Sequence, residues 1–260
     1  KELLKQYPEA GSWEENDEVS NYYALTSVWP AEQAIDEAHS QGAFIFWNHS
    51  WWTPQSPQGI SILTDFHKKL ISENKLHGIE IVNGVNYSDE AFQIAIDNNL
   101  TIIGTSDVHN LIDWDYSFYK GKHRPVTLVL SEDKTEKSIK DALFKGRTVV
   151  WFKNNLIGLK DNLVPLLKSS LSFKSLGYEA GTFILKVEIE NKSDSKMMLK
   201  NISKYTLSQN TNSFHVDAHS KKIIEIKTIV KLKEMNLTFK IQNAYIEPSK
   251  NPEVSFFVKI

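Results

Sequence analysis

The chain has 260 residues, 41% of them hydrophobic, and a formal net charge of −2. That is enough for one large domain or two modest ones, with no global basic field to invite nucleic acid. Cysteine is absent, so disulfides and thiolate metal sites are excluded and any metal must take histidine, carboxylate or other oxygen ligands.

In chain order, Pro30 suits the first turn of a helix carrying Ala34, Ile35 and Ala38, which Gly42 stops. A strand follows over Ala43–His49, then a helix over Thr64–Asn74 with Thr64 as cap and Phe66, Leu70 and Ile71 facing inward. "HGIEIVNG" is a second strand, and Ser88 caps a helix carrying Phe92, Ala95 and Ile96. "LTIIGTSDVH" is a third strand, followed by the aromatic loop Asn110–Pro125. "RPVTLVL", the helix "DKTEKSIKDALFKG" and "RTVVWF" complete the alternation. Strands alternating with helices from Trp29 to Phe152 predict parallel βα units. After about Lys160 the periodicity becomes strand-only, with turn clusters at Asn191–Ser195 and Ser208–Ser213. This predicts an antiparallel β-sandwich of about 90–100 residues behind a connector at Leu156–Ser172. The fold class is therefore α/β followed by an all-β sandwich, divided at 1–160 and 165–260.

The ends of the first three strands carry Asn48-His49, Asn83-Gly84 and Ser106-Asp107-Val108-His109. In parallel α/β folds ligands bind beyond the carboxyl ends of strands, so these groups are expected on one rim. In extended backbone Asp107 and His109 share a face and present an oxygen and a nitrogen together, a pairing suited to a divalent metal. The structural alternative is that Asp107 caps a helix and both histidines are ordinary rim residues. In the following loop, Trp114, Tyr116, Phe118 and Tyr119 offer stacking faces, and Arg124 offers a phosphate a forked pair of hydrogen bonds, with His123 beside it. Trp51 and Trp52 raise the same choice between stacking on a ligand and packing the loop. Glu80 lies mid-strand and is given no ligand role; His39, His67 and His77 read as surface or capping groups. His215 and His219 lack a supporting carboxylate pattern.

The stretches "QGAFIFWNHS", "LHGIEIVNG", "LTIIGTSDVH" and "HRPVTLVLSEDKTEKSIKDALFKGRTVVWFKNNLIG" resemble, in order, the C-terminal half of the polymerase and histidinol phosphatase (PHP) domain. The last, with a β domain after it, is similar to the phosphodiesterase branch of the Sb-PDE type. The resemblance implies a distorted β/α barrel, here partial, and a cluster of two or three divalent transition metals such as Zn, Mn or Fe. It implies metal-assisted hydrolysis of a small organic phosphoester, most closely a phosphodiester. By it His49, Asp107 and His109 stand at metal-ligand positions; the residue chemistry, not the resemblance, puts Arg124, His123, Trp114 and Trp51 on the substrate side. The family's opening His-x-His pair has no counterpart upstream of His49. Asn21 or a neighbour stands where a further histidine is usual, and Ser50 replaces the usual proline.

Because the chain opens on Lys1, an N-terminal piece carrying the missing ligands is expected to be lost. The alternative is a degenerate, non-catalytic barrel acting as a binding or scaffold protein; a carbohydrate-binding sandwich ranks third. No apolar run approaches the roughly 20 residues of a membrane span. No signal peptide is visible; a soluble protein is expected, its compartment left open between cytoplasm and periplasm, with export if an N-terminal signal has been removed, and composition does not bear on oligomeric state.

Overall fold

The computed structural model describes residues 26, 28–116 and 123–260. Asn21, Phe118 and Tyr119, singled out above, lie outside the described residues. Among the described residues no helix is long and apolar enough to cross a membrane.

The chain divides into two compact units, one of residues 1–45 and 65–77, the other of residues 46–64 and 78–260. The first holds helices α1 (Ala31–Ser40) and α2 (Asp65–Ser72), each followed by a left-handed residue, Gly42 and Asn74. His77 belongs here and is half-buried. The Ile45 N–H donates to its Nδ1 at 3.0 Å, and its own N–H donates to the Ile45 carbonyl at 2.9 Å. Burial lowers the His77 pKa from its ordinary value, and the nearby His39 imidazole lowers it further. The ring stacks on Phe44.

In the second unit the predicted strand Ala43–His49 narrows to β1 (Phe46–Trp47). β2 (Gly78–Asn83) is buried along nearly its whole length, as a central parallel strand flanked on both sides must be. It pairs in parallel with β1 and with β4 (Thr101–Thr105), and antiparallel with the short β3 (Asn86–Tyr87) after the Gly84 turn. Between them runs α3 (Asp89–Asp97), capped by the Ser88 hydroxyl, which accepts from the Ala91 N–H at 3.1 Å.

The parallel expectation fails from here on. After the short α4 (Ile112–Asp115), β5 (Val126–Val129), β6 (Thr148–Phe152) and β7 (Asn155–Gly158) form an antiparallel run. α5 (Glu136–Phe144) connects β5 to β6, yet β6 returns beside β5 in the opposite sense. A two-residue turn, Lys153-Asn154, links β6 to β7 with both residues at positive φ, which matches the twist of a hairpin. β4 approaches β6 closely at Gly104, where an added Cβ would overlap Val150 Cγ1. Thr127 spans the gap: its Oγ1 accepts from the Gly104 N–H and donates to the Gly104 carbonyl, both at 2.9 Å.

The expected connector is β7 and a helix, α6 (Lys160–Ser170), which buries Leu163 and Leu167. Then come two antiparallel four-stranded sheets. One has the order β11 (Thr206–Leu207), β13 (Ser220–Lys227), β9 (Ile184–Asn191), β8 (Leu171–Tyr178). The other has β12 (Ser213–Val216), β10 (Met197–Asn201), β14 (Glu234–Ile241), β16 (Glu253–Lys259). Alternating burial along β9, β14 and β16 puts Leu185, Val187, Leu237, Phe239 and Val254 inside. Val149, Leu156, Leu163 and Leu167 join the same hydrophobic cluster. β15 (Ala244–Tyr245) leaves the sandwich and pairs in parallel with β7. Asn243, buried, ties this junction: its Nδ2 donates to the Asn154 and Lys196 carbonyls at 2.6 and 2.7 Å, and its Oδ1 accepts from the Met198 N–H at 2.9 Å.

Candidate functional site

A cavity of about 500 Å³ opens at the carboxyl ends of β1, β2 and β4, lined by His49, Trp51, Trp52, Asn83, Asp107 and His109 among others. Five residues singled out in the sequence, His49, Trp51, Trp52, Asp107 and His109, thus meet there. His49 and Asp107 each follow their strand in a left-handed conformation, with φ of 54° and 51°. Neither is glycine, so each turn carries a steric cost of order 1–2 kcal/mol. The sharp turns redirect the side chains and bring His49 Nε2 to 3.8 Å from Asp107 Oδ1.

The turn at Asp107 overturns the extended Asp-x-His geometry expected above. His109 lines the cavity, but its Nδ1 hydrogen-bonds the Asp107 carbonyl at 2.8 Å, as a cap on the turn. Tyr116, expected to stack on a ligand, donates its hydroxyl to the Ser106 carbonyl at 3.1 Å and braces the same turn. Burial, helped by the Asp115 and Asp107 charges, raises its pKa above the ordinary phenol value.

Glu80 is the residue that sequence reasoning passed over. It is 1% exposed. The His49 N–H donates to its Oε2 at 2.7 Å, and His49 Nδ1 lies 3.1 Å from the same oxygen. Thr105 Oγ1 and Asn83 Nδ2 donate to Oε1, the latter at 3.2 Å. An acidic side chain inside an otherwise apolar parallel strand was the available signal, since a buried carboxylate survives only with such compensation.

Ser50, where the resembled family has proline, is buried and shares a hydrogen bond of 2.7 Å with Ser61, whose hydroxyl meets Ser88 at 3.3 Å. This chain ties the tryptophan loop to the cap of α3. Trp52 meets the His49 ring edge-on at 6.3 Å and is about half exposed.

The structure does not bring the other predicted substrate residues here. Trp114 is 73% exposed. Arg124 is exposed, and its carbonyl is hydrogen-bonded to His123 Nδ1 at 2.8 Å. His123 stacks on Trp151 at 3.8 Å and lines a different cavity, with Tyr116 and Asn154.

His49 Nε2 and Asp107 Oδ1 fit two positions of one divalent ion, a nitrogen and an oxygen converging. The expected cluster of two or three ions is not assembled by the described residues. Among them no group of three or more His, Asp or Glu is placed to hold a metal.

A family model described as an Ig-like domain matches residues 171–257. No curated protein matches the chain significantly. Among solved structures, the chain is similar to a two-domain protein from Bacteroides vulgatus containing a predicted PHP-like metal-dependent phosphoesterase. Identity is 32%, the TM-score is 0.79, and the match covers 89% of this chain. The chain spans 66% of that protein's length. WR4, an MSP family member from C. elegans, matches 35% of this chain and 96% of its own at 16% identity. Its TM-score of 0.25 is too low to carry weight.

Proposed function

We propose that this chain bears the site of a PHP-like metal-dependent phosphoesterase, a hydrolase acting on a small organic phosphodiester. The observation that carries the reading is the approach of His49 Nε2 to Asp107 Oδ1 at 3.8 Å, on the rim formed by parallel strand ends. The likeness at 32% identity to a protein containing a predicted phosphoesterase of this class supports it. In this reading the sheets carrying β1–β7 belong to a distorted β/α barrel over residues 1–160, and residues 165–260 form the sandwich domain.

His49 and Asp107 would hold a Zn, Mn or Fe ion, with His109 turned to a neighbouring one. Such an ion supplies Lewis acidity and a more acidic water near neutral pH. Glu80 fixes the His49 ring. Trp51 and Trp52 wall the cavity, exclude water and offer a face to an aryl or other apolar ester group.

A second reading, a non-catalytic barrel serving as scaffold, is favoured by the lack of any group of three metal-ligating side chains among the described residues. One experiment separates the two. The longest native form of the protein is purified, analysed for bound transition metals and assayed on a bis-aryl phosphodiester with Mn²⁺ or Zn²⁺. Two or more ions per chain and turnover lost in Asp107→Ala support the enzyme. A metal-free protein without turnover overturns it in favour of the scaffold.

A further inference from the structure

We infer that Glu80 is a positioning residue that sets the tautomer of His49, holding the proton on Nδ1 so that Nε2 offers its lone pair to the cavity beside Asp107. Two neighbours compete for Nδ1. Glu80 Oε2 lies 3.1 Å away and can only accept. Asn83 Nδ2 lies 3.0 Å away and can only donate. If Asn83 wins, the proton moves to Nε2 and the ring loses its lone pair toward Asp107.

The surrounding hydrogen bonds decide the contest. Asn83 Nδ2 is also 3.2 Å from Glu80 Oε1, which fixes the amide with its hydrogens toward the carboxylate, since the flipped form would set oxygen against oxygen. One amide hydrogen goes to Glu80 Oε1. The second has an alternative acceptor in Thr105 Oγ1 at 3.4 Å, whose own proton goes to the same carboxylate oxygen. Asn83 can therefore be satisfied without His49. The Glu80 side chain is 1% exposed and its Oε2 receives only the His49 N–H besides the ring, so withdrawing the Nδ1 proton would leave a buried carboxylate oxygen under-compensated. The arrangement that gives Glu80 Oε2 a second donor has Nδ1–H on Glu80, with the Asn83 amide hydrogens directed to Glu80 Oε1 and Thr105 Oγ1. A carboxylate behind a ligating imidazole fixes the ring's orientation and raises its basicity.

The consequence for metal affinity rests on the proposed function; the tautomer does not. The test reads both in the full chain, with the metal-free protein at a pH well above the ordinary histidine range. The ¹⁵N shifts of the His49 ring, from long-range ¹H–¹⁵N correlation, should show the Nδ1–H form in the native protein. Glu80→Gln, which can keep a carbonyl oxygen at the Oε2 position, should retain it. Glu80→Leu removes the acceptor, leaves Asn83 to donate to Nδ1, and should switch the ring to the Nε2–H form. Zn²⁺ or Mn²⁺ titration should then show affinity reduced about 10–100-fold in Glu80→Leu and markedly less in Glu80→Gln. Native His49 in the Nε2–H form overturns the inference, as does an unchanged tautomer in a folded Glu80→Leu protein. If Glu80→Leu does not fold, the native and Glu80→Gln spectra still decide. A native protein with the Nδ1–H ring that binds neither metal overturns the proposed function and leaves the Glu80 assignment standing.

Discussion

Asp107 holds a left-handed backbone with a side chain about two-fifths exposed, and its contact with His49 is a loose one at 3.8 Å. Conformation and chemistry can be separated there. Asp107→Gly and Asp107→Ala should both abolish metal binding and hydrolysis. Glycine adopts φ of 51° without a Cβ clash, so urea melts should find the glycine variant more stable than the alanine variant by about 1 kcal/mol. Equal stabilities would show that the turn is not strained. His49 and Asp107 were legible from sequence because polar residues at strand ends follow a general rule of parallel sheets. The role of Glu80 was not, because a carboxylate in a strand reveals neither its burial nor its four donors until strands are paired in register. The turn at Asp107 was not legible, because the extended geometry assumed for Asp-x-His leaves no place for a left-handed residue.

At the scale of elements, the close approach of β4 to β6 makes Gly104 indispensable. Gly104→Ala should destabilise the protein by about 1–3 kcal/mol through overpacking. Val150→Ala in the same chain should return part of that loss, and a double-mutant cycle with no coupling would refute the contact. The hydrogen bond between Ile45 and His77 needs a neutral imidazole, whose Nδ1 accepts from the Ile45 N–H. Its folded pKa is lowered by burial, so the unfolded chain binds the proton more readily. The stability contributed is complete above the ordinary value of 6.5 and is lost as pH falls through it toward the lower folded value. Urea midpoints measured from pH about 7.5 down to about 5.5 should fall, and His77→Gln should flatten that slope. The helices and most strands were legible from periodicity and caps such as Ser88. The antiparallel sense of β5–β7 was not, since a helix between two strands is also the mark of a parallel crossover.

For the molecule as a whole, the sandwich core extends beyond the sandwich. Val149, Leu156, Leu163 and Leu167 lie in the same cluster as Leu185 and Phe239. A fragment of residues 171–260 should therefore expose an apolar face, bind a hydrophobic dye and melt without a sharp transition. A fragment of residues 146–260 should melt cooperatively. Equal cooperativity in the two would show that the shared core contributes nothing. Asn243→Ala would strip hydrogen bonds from the Asn154 and Lys196 carbonyls and the Met198 N–H. That should cost roughly 1–3 kcal/mol.

The parallel pairing of β15 with β7 joins Ala244–Tyr245 to Leu156–Ile157, across nearly ninety positions of chain. A nascent polypeptide leaves the ribosome from its N-terminus, and a contact so distant in sequence forms late. The edge of β7 must wait, unpaired, until Tyr245 has been synthesised and has emerged, although the strands that carry His49 and Asp107 emerge much earlier. A message cut short before that point would yield strands and helices in the correct order with one sheet edge left open to any passing chain. Ala244 and Tyr245 thus close a sheet edge on strands made long before them.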